Sequence, residues 1–166
     1  MKTLLLILTL ISINTSFACD STFKGRYSCA SYEPDGTLQD STIAMIDATG
    51  EKLILQFRWA IKQAELGLLI GKTSNFQKET DSYYTEGSAT ISCADSVLKY
   101  EDRVFFENFF APREEIRKTE TNLTFTTQDN GEKLQIEVDF TKTYLDLNLQ
   151  VLDPPENTKR IYKCTK

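Results

Sequence analysis

The chain has 166 residues, with 19 Lys and Arg against 24 Asp and Glu, no histidine, and a formal net charge of −5. An acidic chain has no long-range attraction for phosphate backbones, which excludes nucleic acid as an expected partner. Without histidine, Ser-His-Asp and Cys-His catalysis are impossible, and four cysteines with no CxxC pair make a zinc site unexpected.

Residues 1–18 read as a signal peptide. Lys2 gives a positive start, Leu4–Ile13 is an apolar run broken by Thr9 and Ser12, and the small residues Ser16 and Ala18 place cleavage before Cys19. The run is too short for a hydrocarbon core of ~30 Å, which needs ~20 apolar residues. A lipoprotein signal also ends in a small residue and a cysteine. It wants an aliphatic residue three positions earlier, where this chain has Ser16, and Phe17 is bulky. The expectation is a soluble secreted or periplasmic protein with no membrane association unless Cys19 is lipidated, and residues 19–166 read as a single β-barrel domain.

Cys19, Cys29, Cys93 and Cys164 make an even number in an exported chain, which implies two disulfides with three pairings open. First and last strands often meet when a sheet closes. That favours Cys29 with Cys164 and leaves Cys19 with Cys93.

Period-two alternation runs through most of the rest. Phe23, Gly25, Tyr27 and Cys29 share a face against Lys24, Arg26 and Ser28, and Pro34-Asp35-Gly36 marks a turn. A strand at 41–48 and a tight turn at 49–51 follow. Leu53, Leu55, Phe57, Trp59 and Ile61 share the next face, and 67–72 reads as a short strand after a corner. Residues 72–87 are polar and aperiodic, which predicts a loop with a strand only at Ser82–Thr85. Strands are then predicted at 88–94 and from Ser96 onward, where Leu98, Tyr100, Val104 and Phe106 align.

In the last third, Asn130-Gly131 separates Leu123 and Phe125 from Leu134, Ile136, Val138 and Phe140, the strongest hairpin signal in the chain. Thr141–Thr143 is expected to reverse the chain, with Leu145, Leu147, Leu149 and Val151 resuming an apolar face. A turn at 153–157 and a closing strand through Cys164 complete the pattern. The fold class is all-β, an antiparallel meander of 8–10 strands closing as an up-and-down barrel, with a two-sheet β-sandwich as the alternative.

Candidate site residues are few. Phe57, Trp59, Tyr100 and Phe106 are candidate cavity-wall residues. Phe105, Phe106, Phe109 and Phe110 are more aromatics than one strand face holds, so Phe105, Phe109 and Phe110 form a candidate interaction patch. Alternation points Asp102 inward, where a carboxylate needs a partner or a raised pKa, unless a β-bulge turns it outward. Glu101, Glu107, Glu114 and Glu115 read as outer-face charges beside Arg103, Arg113 and Arg117, so a two-carboxylate hydrolase ranks last. Asn122-Leu123-Thr124 fits an N-glycosylation acceptor in a eukaryotic secretory pathway.

Phe23-Lys24-Gly25-Arg26-Tyr27 resembles the Gly-x-Trp opening of lipocalins and related calycin barrels, with Tyr27 in place of tryptophan. Lys159-Arg160-Ile161-Tyr162 is similar to the segment that brings a basic residue across such a barrel's closed end. The chain departs from the family in lacking that tryptophan and a helix after the last strand. It also resembles small exported bacterial proteins that open with an aromatic-Gly-x-Tyr-x-Cys strand and end in a Cys-Lys-like tail. Either resemblance implies a barrel, and the lipocalin one implies a small apolar ligand. The expectation is therefore a non-enzymatic, monomeric exported protein that binds a small hydrophobic ligand, without cofactor or metal. The alternative is a solid barrel meeting a protein partner through its aromatic patch.

Overall fold

A computed structural model describes residues 22–33, 35–49, 52–59, 62–94, 97–109 and 115–166. Ten strands follow in chain order: β1 (Gly25–Tyr32), β2 (Leu38–Thr49), β3 (Lys52–Trp59), β4 (Lys62–Leu69), β5 (Thr73–Glu79), β6 (Tyr83–Ala94), β7 (Val97–Asn108), β8 (Glu115–Gln128), β9 (Lys133–Leu145) and β10 (Glu156–Thr165). They form one antiparallel sheet in the order β4-β3-β2-β1-β10-β9-β8-β7-β6-β5. Every neighbour is a sequence neighbour except β1 and β10, which join the two chain ends.

The expected all-β meander is what the chain forms, but its ladder does not close. β4 and β5 are the sheet's two edges. Just past β4, Ile70 bridges Ile91 of β6, the Gly71 amide donates to the Ile91 carbonyl at 2.8 Å, and Gly71 takes φ +75° to turn the chain into β5.

The β1–β10 seam is pinned covalently. Cys29 faces Cys164 in register and is disulfide-bonded to it, 135 residues away in sequence, the pairing favoured on topological grounds. Cys93 is also disulfide-bonded, and its expected partner Cys19 lies outside the described residues.

One face of the sheet supplies the core. Tyr27, Ala44, Ile91, Leu98, Phe125, Ile136 and Tyr162 pack in a single cluster drawn from β1, β2 and β6–β10. Phe23 and Tyr27 seal one end, where the Tyr27 hydroxyl donates, shared between the carbonyls of Phe23 (3.0 Å) and Gly131 (3.1 Å). The cation over the Tyr27 ring is Lys166, at 5.5 Å. The basic residues of the Lys159–Tyr162 segment, one of which the lipocalin resemblance sets across the closed end, pair instead with carboxylates, Lys159 with Asp139 and Arg160 with Asp40.

Three segments depart from expectation. Residues 72–87 are no loop: β5 occupies 73–79 and β6 begins at Tyr83. As an edge strand exposed over almost its whole length, β5 has little apolar face to reveal a period. Thr141–Thr143 does not reverse the chain but continues β9 to Leu145. The actual turn follows, where Asp146 Oδ1 accepts the amides of Asn148 and Gln150 at 2.8 Å each and Leu149 adopts φ +61°. Leu147, Leu149 and Val151 consequently stand exposed and form no strand face. The Asn-Gly hairpin does form, through left-handed Asp129, Asn130 and Gly131. A Cβ on Gly131 would lie 2.5 Å from the Thr22 carbonyl oxygen.

Gly87 shows how tightly β5 and β7 bracket β6. A Cβ there would approach the Arg103 carbonyl oxygen to 2.5 Å and the Phe76 ring to 2.7 Å. A Gly87→Ala variant is expected to lose about 1–3 kcal/mol through overpacking. The check is a lowered urea midpoint with an unchanged slope, and an unaltered midpoint contradicts the close approach.

Candidate functional site

The inner face divides into two halves along the strands. Toward one end, Ile91, Leu98, Tyr100, Leu123, Phe125 and Ile136 are all buried and form a packed floor. Toward the other, the same inward parity continues through Val104 and Phe106 on β7, Thr119 and Arg117 on β8, and Phe140, Lys142 and Tyr144 on β9. Every one of these is only half-buried. A filled core would bury them as it buries the floor. The inner face thus passes from a packed half to a half-buried half of mixed aromatic and polar character.

The polar side chains of the inner face are held by specific partners. Arg160 Nη1 lies 3.2 Å from Asp40 Oδ2, to which the Tyr162 hydroxyl also donates at 2.7 Å, and the Arg160 Nε is buried with no partner. The Arg117 guanidinium sits 4.4 Å over the Phe106 ring, which stacks on Tyr83 at 5.8 Å between centroids. Lys142 donates to the Tyr144 hydroxyl, lies over that ring at 4.2 Å, and is 3.9 Å from Glu156.

Asp102 resolves as the alternation predicts. The β6–β7–β8 register runs without a shift past it, so no bulge turns it outward. It shares the inner face with Tyr100, whose hydroxyl donates to Asp102 Oδ2 at 2.7 Å, while Asp102 Oδ1 is buried without a hydrogen-bond partner. The Asp102 carboxylate thus has the partner its position requires, on one of its two oxygens.

The predicted site residues fall in different places. Tyr100 belongs to the packed floor at 4 % exposure, and Phe106 lies in the half-buried half. Register sets Phe57 opposite Ala44 and Trp59 opposite Thr42, but their side chains lie outside the described residues, as does Phe110 altogether. Phe105 has the outward parity of Arg103 and meets Tyr84 edge-on at 6.2 Å, and Phe109 is exposed. Phe105, Phe76 and Val104 help line a hollow of about 710 Å3 over β5–β8, which shares Ser88, Arg103 and Glu120 with a neighbouring hollow of about 310 Å3. Asn122 lies exposed beside the smaller one.

Arg117, Phe140, Lys142 and Tyr144 were not singled out from sequence as site residues. The signal was present: Val138 and Phe140 set a parity that Lys142 and Tyr144 continue. It is masked because the polar run Thr141–Thr143 has the composition of a turn.

Burial raises the pKa of the phenols of Tyr27, Tyr100 and Tyr162, with the Glu132 charge adding at Tyr27 and the hydrogen-bonded Asp102 and Asp40 adding at the other two. A phenol whose folded pKa exceeds its unfolded value stays protonated in the native state while the unfolded chain ionises near 10, so stability is full below about pH 10 and falls as pH rises beyond it. An absorbance titration is expected to show these three phenols ionising late, together with alkaline unfolding. Early titration of all seven tyrosines contradicts this.

Among the described residues no group of three or more His, Cys, Asp or Glu is placed to hold a metal, and no helix is long and apolar enough to cross a membrane. No protein-family model and no curated protein matches the sequence. Among solved structures, the chain is similar to "REP1-NXSQ fatty acid transporter", with 15 % identity over 77 % of this chain and 73 % of that one and a TM-score of 0.40. A tyrosine-to-phenylalanine mutant of the same transporter gives 13 % identity, coverage of 75 % and 72 %, and a TM-score of 0.36. These likenesses are weak ones of shape, and the lipocalin resemblance is not confirmed by them.

Proposed function

We propose that this protein is an exported, monomeric, single-domain binder of a small molecule with an apolar body, held in a lumen along the half-buried half of the inner face and subjected to no chemistry there. The observation that carries this reading is the change along one face, from fully buried at Leu98, Leu123 and Phe125 to half-buried at Val104, Phe106 and Phe140. A partly exposed face of aliphatic and aromatic side chains with a few fixed polar groups suits a small-molecule site. Disulfides suit an oxidising compartment outside the cytosol.

The test is to fill the lumen. Calorimetric titration of the wild-type protein with 1-dodecanol is expected to give saturable 1:1 binding. Thr119→Trp, which sets a bulky ring on the inner face opposite Val104, is expected to abolish it while leaving the circular dichroism spectrum intact. Undiminished binding in a folded Thr119→Trp variant overturns the reading.

A second reading rests on the outer face. Exposed Phe109 and the hollow bordered by Phe105, Arg103 and Lys118 suit a protein partner. Phe105→Ser and Phe109→Ser would then abolish partner capture without affecting dodecanol binding.

A further inference from the structure

The lumen's charged groups are not equivalent. Arg160 is paired with Asp40 at 3.2 Å, Lys142 lies near Glu156 and the Tyr144 hydroxyl, and Arg117 covers the Phe106 ring. Arg160 Nε and Asp102 Oδ1 are both buried without a hydrogen-bond partner, but Arg160 has Asp40 as its counter-ion, whereas among the described residues Asp102 has no cation beside it. Its Oδ2 is fixed by the Tyr100 hydroxyl, which orients the carboxylate, and its Oδ1 is buried with no partner. In register it lies between Ala89 and Thr121, one inward step beyond Tyr100 toward the open half. It therefore sits at the boundary between the packed floor and the lumen.

A buried carboxylate oxygen without a donor carries the desolvation cost of an unmade hydrogen bond, and a charged acceptor carries more than a neutral one. A ligand that brings a donor to this oxygen recovers that cost on binding, and a ligand that brings a carboxylate adds repulsion to it. The chain's net charge of −5 favours the approach of cations on the same terms.

We propose that Asp102 receives the polar end of the lumen's ligand, and that this ligand carries an amine, bound as its ammonium, on an apolar body. This rests on the lumen reading above and adds the chemical class of the ligand. The ammonium donates to Asp102 Oδ1 while Tyr100 holds Oδ2, and the apolar body extends past Val104 and Phe106.

A matched series of dodecylamine, 1-dodecanol and dodecanoate, titrated calorimetrically below their aggregation concentrations in 0.15 M salt, tests this. Dodecylamine is expected to bind the wild type roughly 10- to 100-fold more tightly than dodecanol, with dodecanoate weakest. Asp102→Asn is expected to bring amine and alcohol to comparable affinity, whereas Glu101→Gln, on the outward neighbour, leaves the preference intact. In the wild type, dodecylamine should also shift the Asp102 side-chain carboxyl 13C resonance, a readout independent of whether the variant folds.

If none of the three binds saturably, the lumen reading itself fails. If dodecanol binds but dodecylamine binds no tighter, or if Asp102→Asn retains the preference, the lumen stands and the role of Asp102 is overturned.

Discussion

Replacing Phe125 with alanine is expected to lower the unfolding free energy by about 3–5 kcal/mol, among the largest effects available to a single substitution in this chain. Phe125 is fully buried on β8, and its ring lies where β7, β8 and β9 converge, opposite Leu98 on one side and Ile136 on the other. Truncation there removes the ring's burial and leaves a void between three well-packed strands that can collapse only partly. Guanidinium unfolding followed by circular dichroism gives the number. A loss below about 1 kcal/mol would mean that the floor repacks freely and is not the tightly packed half described here.

Removing the Cys29–Cys164 disulfide is expected to be of similar size. It closes a loop spanning a sequence separation of 135 residues, and by the chain-entropy account native bridges in small domains contribute roughly 2–5 kcal/mol, more for long loops. It also lies at the seam where β1 meets β10, among the described residues the one ladder between strands distant in sequence. The double variant Cys29→Ala/Cys164→Ala should therefore unfold at markedly lower denaturant. Hydrogen exchange should quicken first along β1 and β10, with slower change in the β7–β8–β9 hairpins. Uniform loss of protection across all strands would show instead that the bridge stabilises only through the unfolded chain.

Much of this fold was legible in residue order because most of its strands bury one face and wet the other. Tyr27–Cys29, Leu98–Tyr100 and Leu134–Ile136 announce themselves by alternation, and Asn130-Gly131 announces the turn between two of them. Reading failed where that condition lapses. β5 is an edge strand exposed over nearly all its length, so its residues carry little period. The upper half of β9 is only half-buried, so Thr141, Lys142 and Thr143 continue a strand while resembling a turn. Leu147, Leu149 and Val151 alternate without being a strand, because the Asp146 side chain holds two amides of a tight turn beneath them.

The site follows the same logic. Tyr100 and Phe106 could be placed on one face from spacing, and so could the inward turn of Asp102. Whether the face around them is filled or open depends on how many strands share it and how far they roll, which local sequence does not encode. Arg117, Lys142 and Arg160 lie inside the sheet although composition alone would put them outside, and each is accommodated there by a carboxylate or a ring.

The most direct test of the account is an amide-resolved NMR titration of the oxidised protein with 1-dodecanol. The reading predicts saturable 1:1 shifts concentrated at Phe106, Thr121, Phe140 and Tyr144 on the inner face, with Ser88, Arg103 and Glu120 on the outer face unmoved. Shifts confined to Phe105, Phe109 and the outer hollow, or no saturable change at any residue, would contradict it.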